Sequence, residues 1–335
     1  MSWLGLDIGG ANLKAADGRG WARSVPFPLW RNPNGLADAL VELIACAPSV
    51  ERIVVTMTGE LCDAFRTKSE GVRHILSAVH QAAGGREVRV YLVDGRIVSV
   101  DEAGPFPHLA AASNWHALAS FAGRFLDGGS GLLIDIGSTT TDIVPIVEGE
   151  PRPRGLTDTE RLVAGELVYT GVGRTPICAI TPWLPWRGQL CPVAAELFAT
   201  AADAYVLLGD LEELPNRDST ADGRPLTKQF CRERLARMVC SDAETFSWDD
   251  ARQAAARIKE AQLGLLRTGQ VQVLSHPPMD IQGLVVSGYG EFLAKIVAGE
   301  VCSESKIVQL AAVIGPMASQ CGPAHALAVL AQEAV

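Results

Sequence analysis

Basic residues are the minority charge in this sequence of 335 residues, where 29 Lys and Arg stand against 38 Asp and Glu for a net charge of −9. Proteins that grip a nucleic acid hold its phosphates with clustered Lys and Arg. The acidic balance therefore argues against a nucleic-acid partner. Any phosphate that this chain binds is expected to be small and locally held.

Long apolar runs are also missing. No stretch approaches the roughly 18 apolar residues of a membrane-spanning helix, and the opening MSWLGLDIGG has no basic segment ahead of an apolar one, unlike a secretory signal. The eight cysteines are dispersed without a CxxC pair, which indicates reduced thiols and no disulfide framework or zinc cluster. We therefore expect a cytoplasmic protein without a membrane partner.

Apolar residues make up 48% of the chain and charged residues 20%, a composition that supports a large core. The length suits two domains, and strands alternate with amphipathic helices, which predicts a layered α/β fold. Residues 151–186 are predicted to be irregular. The predicted strands are 3–8, 12–16, 52–56, 87–93, 132–136, 142–147, 283–287 and 306–310, and the predicted helices are 35–47, 69–83, 110–125, 192–208, 228–239, 248–268, a helix from 291, and 322–334.

One strand-turn-strand unit occurs twice, as LGLDIGGANLKAA from residue 4 and as LLIDIGSTTTDIV from residue 132. Each copy reads as an apolar strand, an Asp, an apolar residue, a Gly, small polar residues and a second strand. A repeat of this kind indicates two related lobes and not a short-period solenoid. We predict lobes at 1–127 and 128–335, with a substrate insertion at about 150–280, and with Asp7 and Asp135 facing one cleft between them.

Each repeated turn places a carboxylate, Asp7 or Asp135, between a strand end and a glycine. Backbone amides in such a turn can cradle a phosphate, and a carboxylate beside it requires a cation such as Mg²⁺, held through water. Singly, each turn is also compatible with a hairpin whose Ser and Thr residues cap their own backbone; the presence of both favours a phosphate and metal cleft. The predicted phosphate-binding residues in the turns are Gly9, Gly10, Asn12, Lys14, Gly137, Ser138, Thr139 and Thr140, and the predicted metal residues are Asp7 and Asp135, with Asp142 as a further partner.

A third glycine-rich turn lies in GLVVSGYGEF from residue 283, where a strand runs into a helix. Helix N-termini favour anions, so Ser287, Gly288 and Gly290 are candidates for a nucleotide or substrate turn. The segment lacks the GxGxxG spacing of a dinucleotide fold. A tight strand-to-helix connection is the alternative.

The three turns resemble the phosphate-1, phosphate-2 and adenosine motifs of the actin-like ATPase and sugar kinase superfamily. Within it, TMTGEL from residue 56 and KSEGV from residue 68 resemble the hydantoinase A and oxoprolinase family. A smaller branch, the tetrahydromethanopterin-linked one-carbon transfer proteins, is similar in DIGGANLK, TMTGELCDAF, AASNW at 111–115, DIGSTTTDIV, YTGVGRTP at 169–176 and DSTADG at 218–223. The resemblance implies a two-lobed, ribonuclease H-like ATPase fold with an interlobe cleft.

The branch includes an enzyme of methanofuran biosynthesis, so the resemblance implies an alkyl transfer that joins an aminomethylfuran-methyl diphosphate to γ-glutamyltyramine. Mg²⁺ is the implied cofactor, ATP is a second that the resemblance allows, and a homo-oligomer stays open. Arg174 is expected to contact phosphate or the glutamyl carboxylate. The general base is left open among Glu60, Asp142 and Asp222. The alternatives are an ATP-dependent kinase or amide hydrolase, and a non-enzymatic ATP-binding assembly protein of actin-like type.

Overall fold

The fold is taken from a computed structural model that describes residues 2–216, 219–275, 280–303 and 306–334. The strands are β1 (Trp3–Ile8), β2 (Asn12–Ala16), β3 (Ala22–Pro26), β4 (Arg52–Met57), β5 (Glu87–Tyr91), β6 (Ile97–Ser99), β7 (Gly131–Ile136), β8 (Thr141–Val147), β9 (Glu150–Pro151), β10 (Leu167–Val168), β11 (Trp183–Trp186), β12 (Gln189–Pro192), β13 (Gly283–Ser287) and β14 (Ile307–Gln309). The helices are α1 (Leu36–Ala45), α2 (Lys68–Ala82), α3 (Val100–Ala103), α4 (Pro107–Ala110), α5 (Asn114–Ala122), α6 (Asp158–Ala164), α7 (Ile177–Ile180), α8 (Ala201–Leu208), α9 (Lys228–Met238), α10 (Trp248–Leu274), α11 (Glu291–Gly299), α12 (Leu310–Ile314), α13 (Pro316–Gln320) and α14 (Gly322–Glu333).

Two mixed sheets share one strand plan. The first has the order β3-β2-β1-β4-β5-β6, and the second has β10-β8-β7-β13-β14, with β9 beside β8. In each sheet a central strand pairs antiparallel with its hairpin partner on one side and parallel with a later strand on the other. The repeat seen in the sequence is therefore a repeat of structure.

The registers of the two hairpins correspond residue by residue. Asp7 of β1 lies opposite Lys14 of β2, and Asp135 of β7 lies opposite Asp142 of β8. The same backbone position thus carries a cation in the first copy and an acid in the second.

Helices α5 and α14 pack against each other and fill the space between the sheets. Their buried side chains contact residues of both sheets. Helix α14 approaches β1 so closely that a Cβ at Gly5 would lie 1.9 Å from the carbonyl oxygen of Ala324, which explains the glycine. Helix α14 lies at the far end of the chain but packs on β1 of the first sheet. The predicted division into lobes at residue 127 does not account for this contact, and the division stays a prediction.

The predicted strands and helices occur in the predicted order, but the predictions for three segments are wrong. Residues 151–186 are not irregular, since a capping box at Thr157 starts α6 and short elements follow. The helix predicted over 192–208 begins only at Ala201, after the β11–β12 hairpin and after Thr200, whose N–H donates to the Asp203 carboxylate at 2.8 Å. The helix predicted over 110–125 is interrupted by Ala112, which has a positive φ of 48°.

The helix predicted over 248–268 extends to Leu274, because its buried face continues through Gln270 and Val273. Even so, none of the helices in the described part of the chain combines the length and apolarity needed to cross a membrane.

Candidate active site

A cavity of about 500 Å³ lies where the two repeated turns face each other, a size suited to a small ligand. Both Asp7 and Asp135 line it, together with residues from both sheets. Among the described residues, its ionisable lining comprises six acids and three cations: Asp7, Glu60, Asp63, Asp135, Asp142, Asp158, Lys14, Arg161 and Arg174.

Asp7 is buried at the end of β1. Its Oδ2 atom lies 3.8 Å from the Lys14 Nζ atom, and its Oδ1 atom is buried without a hydrogen-bond partner among the described residues. Burial raises the pKa of the Asp7 carboxyl, and the nearby Lys14 opposes that rise. An orphaned carboxylate oxygen beside a phosphate-type turn is suited to receive a cation or one of its waters.

Asp135 occupies the matching place at the end of β7. Its Oδ1 atom accepts a hydrogen bond from the Ser287 hydroxyl at 2.5 Å. Burial, followed by the neighbouring charge of Asp142, raises the pKa of Asp135 to about 6. The site therefore holds a second carboxylate that a bound cation would stabilise in its ionised form.

Asp142 is paired with a buried arginine. Its Oδ1 atom lies 2.9 Å from a terminal nitrogen of Arg161, whose guanidinium carbon lies 3.9 Å from the centre of the Trp115 ring. The Arg161 Nε and Trp115 Nε1 donors are buried without partners among the described residues. Because it already has a strong ion-pair partner, Asp142 is the weaker candidate for a proton acceptor.

Glu60 differs from Asp142, since within the described residues it forms no ion pair. The short turn Gly59–Leu61 after β4 carries this carboxylate into the cavity lining. Glu60 is only 1% exposed, and its Oε2 atom has no hydrogen-bond partner among the described residues. Burial raises the pKa of Glu60 to about 7, which is the range of an effective general base at neutral pH.

Asp222, the third acid considered from the sequence, lies outside the cavity lining. It contacts Arg224, Arg234 and Arg237 at distances of 2.6 to 3.1 Å. Although partial burial raises its pKa, hydrogen bonds from Arg224 and Arg234 hold the pKa of Asp222 well below its ordinary value. The prediction of Asp222 as a cleft base is therefore wrong, because three arginines bind it elsewhere. Asp218, from the same segment, lies outside the described residues.

The two phosphate-type turns have equivalent backbone hydrogen bonds. The Gly9 N–H donates to the Asn12 carbonyl at 3.0 Å, and the Gly137 N–H donates to the Thr140 carbonyl at 2.9 Å. All eight residues predicted for the cradle line the cavity: Gly9, Gly10, Asn12, Lys14, Gly137, Ser138, Thr139 and Thr140. Their role in binding phosphate stays a prediction.

The loop 169–176 packs directly on the second of these turns. The N–H groups of Gly173 and Arg174 both donate to the Ser138 carbonyl, at 2.9 and 2.8 Å. A Cβ at Gly171 would lie 2.5 Å from the Gly137 carbonyl oxygen, so this close approach requires a glycine. Arg174, which the sequence places at the site, lines the cavity as predicted.

A buried hydrogen-bond network holds this loop from behind. Gln262 on α10 donates to the Thr170 hydroxyl at 2.8 Å and to the Gly171 carbonyl at 3.0 Å. Its side-chain oxygen accepts from the Tyr205 hydroxyl at 2.5 Å, and the Thr175 hydroxyl donates to the Gly171 carbonyl at 3.0 Å. The second phosphate-type turn is thus braced from the core of the second sheet.

Replacing Gln262 by leucine is expected to destabilise the protein by about 2 to 3 kcal/mol, because the buried hydroxyl of Tyr205 loses its partner and the Gly171 carbonyl keeps only the hydrogen bond from Thr175. Since the loop then packs less firmly on the second turn, the Kd for a phosphate ligand should rise several-fold. Gln270→Leu is the matched control, on the same helix but bonded to Val297. Thermal melts and calorimetry with diphosphate would check this; equal Kd values for the two variants would contradict the bracing role.

The third glycine-rich turn lies behind Asp135, outside the cavity lining. Ser287 is fully buried and bonded to Asp135, and the Gly290 N–H donates to the Ile136 carbonyl at 2.8 Å. The Gly288 N–H donates to the Ser319 hydroxyl at 3.3 Å. The turn therefore supports the second aspartate, and its role as a nucleotide or substrate turn stays a prediction.

The residues present fit a magnesium ion held mainly by ligand and water. Within the described ranges, no group of three or more His, Cys, Asp or Glu side chains converges as a protein cage. Mg²⁺ commonly binds through one or two carboxylates together with substrate phosphates and waters. Asp7, with its orphaned oxygen, and Asp135 are suited to that mode.

Sequence reasoning assigned no site role to several cavity-lining residues, among them Trp30, Asp158, Arg161 and Tyr169. Trp30 carries no pattern that separates it from an ordinary packing residue, and Tyr169 lies in YTGVGRTP, a segment identified only by resemblance. Arg161 follows the capping box of α6 by one residue, but its partner Asp142 is seen only in the folded chain. Trp115 lies in AASNW, a segment identified only by resemblance.

Comparison with known proteins gives a family match and two relatives that share a name. Residues 52–333 match the hydantoinase/oxoprolinase family, as the TMTGEL segment predicts. The chain is 32% identical over 333 residues to a (4-{4-[2-(gamma-L-glutamylamino)ethyl]phenoxymethyl}furan-2-yl)methanamine synthase of Methanocaldococcus jannaschii, covering 98% of this chain and 97% of the relative. It is 29% identical over 201 residues to a protein of the same name from Methanococcus vannielii, covering 59% of this chain and 89% of the relative.

Among solved structures, the chain resembles a nucleotide-free acetone carboxylase, with a TM-score of 0.53 at 13% identity. The likeness covers 98% of this chain and 70% of that one. At this identity it supports the fold alone, and it confirms the two-lobed, actin-like ATPase type of fold.

Proposed function

The chain belongs to the hydantoinase/oxoprolinase family, and from this premise we propose that it is a transferase of methanofuran biosynthesis. It condenses an aminomethylfuran-methyl diphosphate with γ-glutamyltyramine and releases diphosphate. The observation that carries the proposal is similarity to a synthase of that product over 98% of this chain and 97% of the relative.

The cavity supports this chemistry better than nucleotide chemistry. Both phosphate-type turns line it, whereas Ser287, Gly288 and Gly290 do not. A diphosphate needs only the two turns, while ATP would also need space for adenosine near the third. The site is therefore proposed to hold the diphosphate of the furan substrate.

In the proposed reaction, the phenol oxygen of γ-glutamyltyramine forms a bond to the exocyclic CH₂ carbon of the furan. The bond from that carbon to the diphosphate oxygen breaks, and its electron pair leaves with diphosphate. The furan ring supports positive charge on this carbon, so negative charge develops mainly on the leaving group. Hydrogen-bond donors that are already held in position stabilise this negative charge without having to reorganise during the reaction.

Lys14 and the other amides of the two turns supply that stabilisation, since the Gly9 and Gly137 N–H groups already donate within their turns. Lys14 lies beside Asp7, and this ion pair keeps the Lys14 ammonium group at the cavity wall. Six acids against three cations line the cavity, an excess that would repel diphosphate. Asp7 and Asp135 would hold Mg²⁺, which when bound supplies compensating positive charge to the leaving diphosphate.

Glu60 is the proposed general base. Of the three acids considered, Asp142 is paired with Arg161 and Asp222 is outside the cavity. Glu60 lines the cavity, and its Oε2 atom accepts no hydrogen bond from the described residues, so this oxygen is proposed to accept the phenol proton as the new bond forms.

Mass spectrometry after incubation with the furan diphosphate, γ-glutamyltyramine and Mg²⁺ tests the proposal. We expect the ether product and free diphosphate in equal amounts, loss of both with excess EDTA, and recovery when Mg²⁺ is restored. Full activity in chelator would contradict the metal role. ATP consumption without ether formation would instead favour a kinase or an amide hydrolase.

A further inference from the structure

Arg174 is the cavity cation without an acidic partner. Lys14 lies beside Asp7, and Arg161 is paired with Asp142. The guanidinium of Arg174 makes no hydrogen bond or ion pair with any other residue in the described part of the chain, and its one described contact is with the ring of Trp30. Its donors are therefore available to an anionic ligand.

The Trp30–Arg174 pair connects the two phosphate-type turns. The Arg174 guanidinium carbon lies 5.0 Å from the centre of the Trp30 ring, within the range of a cation–π contact. The Arg174 N–H donates to Ser138 at 2.8 Å, while the N–H of Leu29, the residue before Trp30, donates to the Gly10 carbonyl at 2.9 Å. The backbone segments that carry the pair are thus each tied to one of the two turns, and both side chains line the cavity.

Other large side chains in the lining are exposed. Tyr169 is 60% exposed and Leu61 is 54% exposed, although both line the cavity. Together with Trp30 they offer ring and apolar surface on which an aromatic ligand can stack. A diphosphate or a metal ion gains nothing from such surface, so this part of the cavity suits an organic group.

We propose that Trp30, Tyr169 and Arg174 form the subsite for the acceptor, an aromatic molecule that carries a carboxylate. The inference rests on the proposed function and extends it to acceptor recognition. The phenol ring of the acceptor stacks on Trp30 and Tyr169, and the planar guanidinium of Arg174 binds its glutamyl carboxylate with two parallel hydrogen bonds. Arg174 is then a specificity residue that distinguishes γ-glutamyltyramine from tyramine.

Calorimetry with γ-glutamyltyramine and with tyramine, without the furan diphosphate, tests the subsite directly. The parent protein is expected to bind γ-glutamyltyramine at least about tenfold more tightly, which corresponds to one charge-assisted hydrogen-bonded pair. Arg174→Ala should abolish this ratio and leave the Kd of tyramine within about threefold. Trp30→Ala should weaken both ligands by a similar factor, because the ring serves both.

Arg187→Ala is the matched control, since Arg187 makes a similar contact with the ring of Trp186 outside the cavity lining. It should leave both Kd values unchanged. A preference for γ-glutamyltyramine that survives in Arg174→Ala would overturn the subsite. A rise in the Kd of diphosphate alone in Arg174→Ala would also overturn the subsite, because Arg174 would then bind the furan diphosphate. If the parent shows the binding preference but forms no ether, the transferase proposal fails while the subsite stands.

Discussion

Replacing Glu60 by glutamine is expected to lower kcat by at least about 10²-fold, the usual range for loss of a general base. Glutamine keeps the size and shape of the side chain, and among the described residues the Oε2 atom of Glu60 has no hydrogen-bond partner to lose. The fold should therefore be retained. Ether formation at saturating substrates, with a thermal melt on the same sample, measures both effects.

The pH dependence of the parent gives an independent readout. Glu60 must be ionised to accept a proton, and burial raises its pKa to about 7, so kcat/KM should rise with pH and level off above about 7. In Glu60→Gln the limb near pH 7 should disappear, leaving only the rise near pH 6 that ionisation of Asp135 would give. Asp222→Asn is the control, since it makes the same chemical change at an acid outside the cavity. An unchanged pH limb in Glu60→Gln would exclude Glu60 as the base.

The raised pKa of Glu60 also makes the stability of the protein depend on pH. The native state binds the Glu60 proton more tightly than the unfolded state, whose value is near 4.5. The free energy of unfolding therefore falls as pH rises from about 4.5 to about 7, by up to roughly 3 kcal/mol. Glu60→Gln should remove this contribution to the pH dependence, as denaturant titrations at pH 5 and pH 8 would show.

Replacing Asp135 by asparagine is expected to lower turnover by roughly 10²-fold or more, as for loss of one aligned electrostatic group. The side chain keeps its volume and can still accept the hydrogen bond from Ser287. It loses the charge that attracts Mg²⁺. Since burial already disfavours the ionised form of Asp135, removing its charge should not lower the free energy of unfolding.

Product formation during a Mg²⁺ titration would check this second prediction, because the variant should need more Mg²⁺ as well as turn over more slowly. Asp210→Asn is a suitable control in the same half of the chain, where Asp210 pairs with Lys259 at 2.9 Å. More than about half of parental turnover in a normally melting Asp135→Asn protein would contradict the assigned role. Failure to fold would show that the carboxylate is structural.

The two aspartate turns could be predicted from the sequence because their signal is local. An apolar strand, an Asp and a Gly within a few residues define both Asp7 and Asp135, and the repeat indicates that two such turns face each other. The strand at Gly283–Ser287 was predicted residue for residue, since a buried apolar run bounded by glycines has clear limits.

The long-range parts of the site could not be predicted in this way. Gln262 and Thr170 are separated by 92 residues, and neither side chain carries a pattern that points to the other. Asp222 had the residue type of a base, but its ion pairs with Arg234 and Arg237 form only when α9 folds beside it. Selection of Glu60 among three acids depended on burial and on partners, which are properties of the folded chain.

The matching registers of the two hairpins have a consequence for how a substrate can be oriented. A duplicated unit with identical residues in both copies would offer a ligand two equivalent directions. Here the equivalent positions carry Lys14 in one copy and Asp142 in the other, so these two positions differ in the sign of their charge although acids line both walls. The backbones of the two hairpins are therefore equivalent, but the charges that they place in the cavity are not. A donor with one charged end and one neutral end should then bind in one favoured direction.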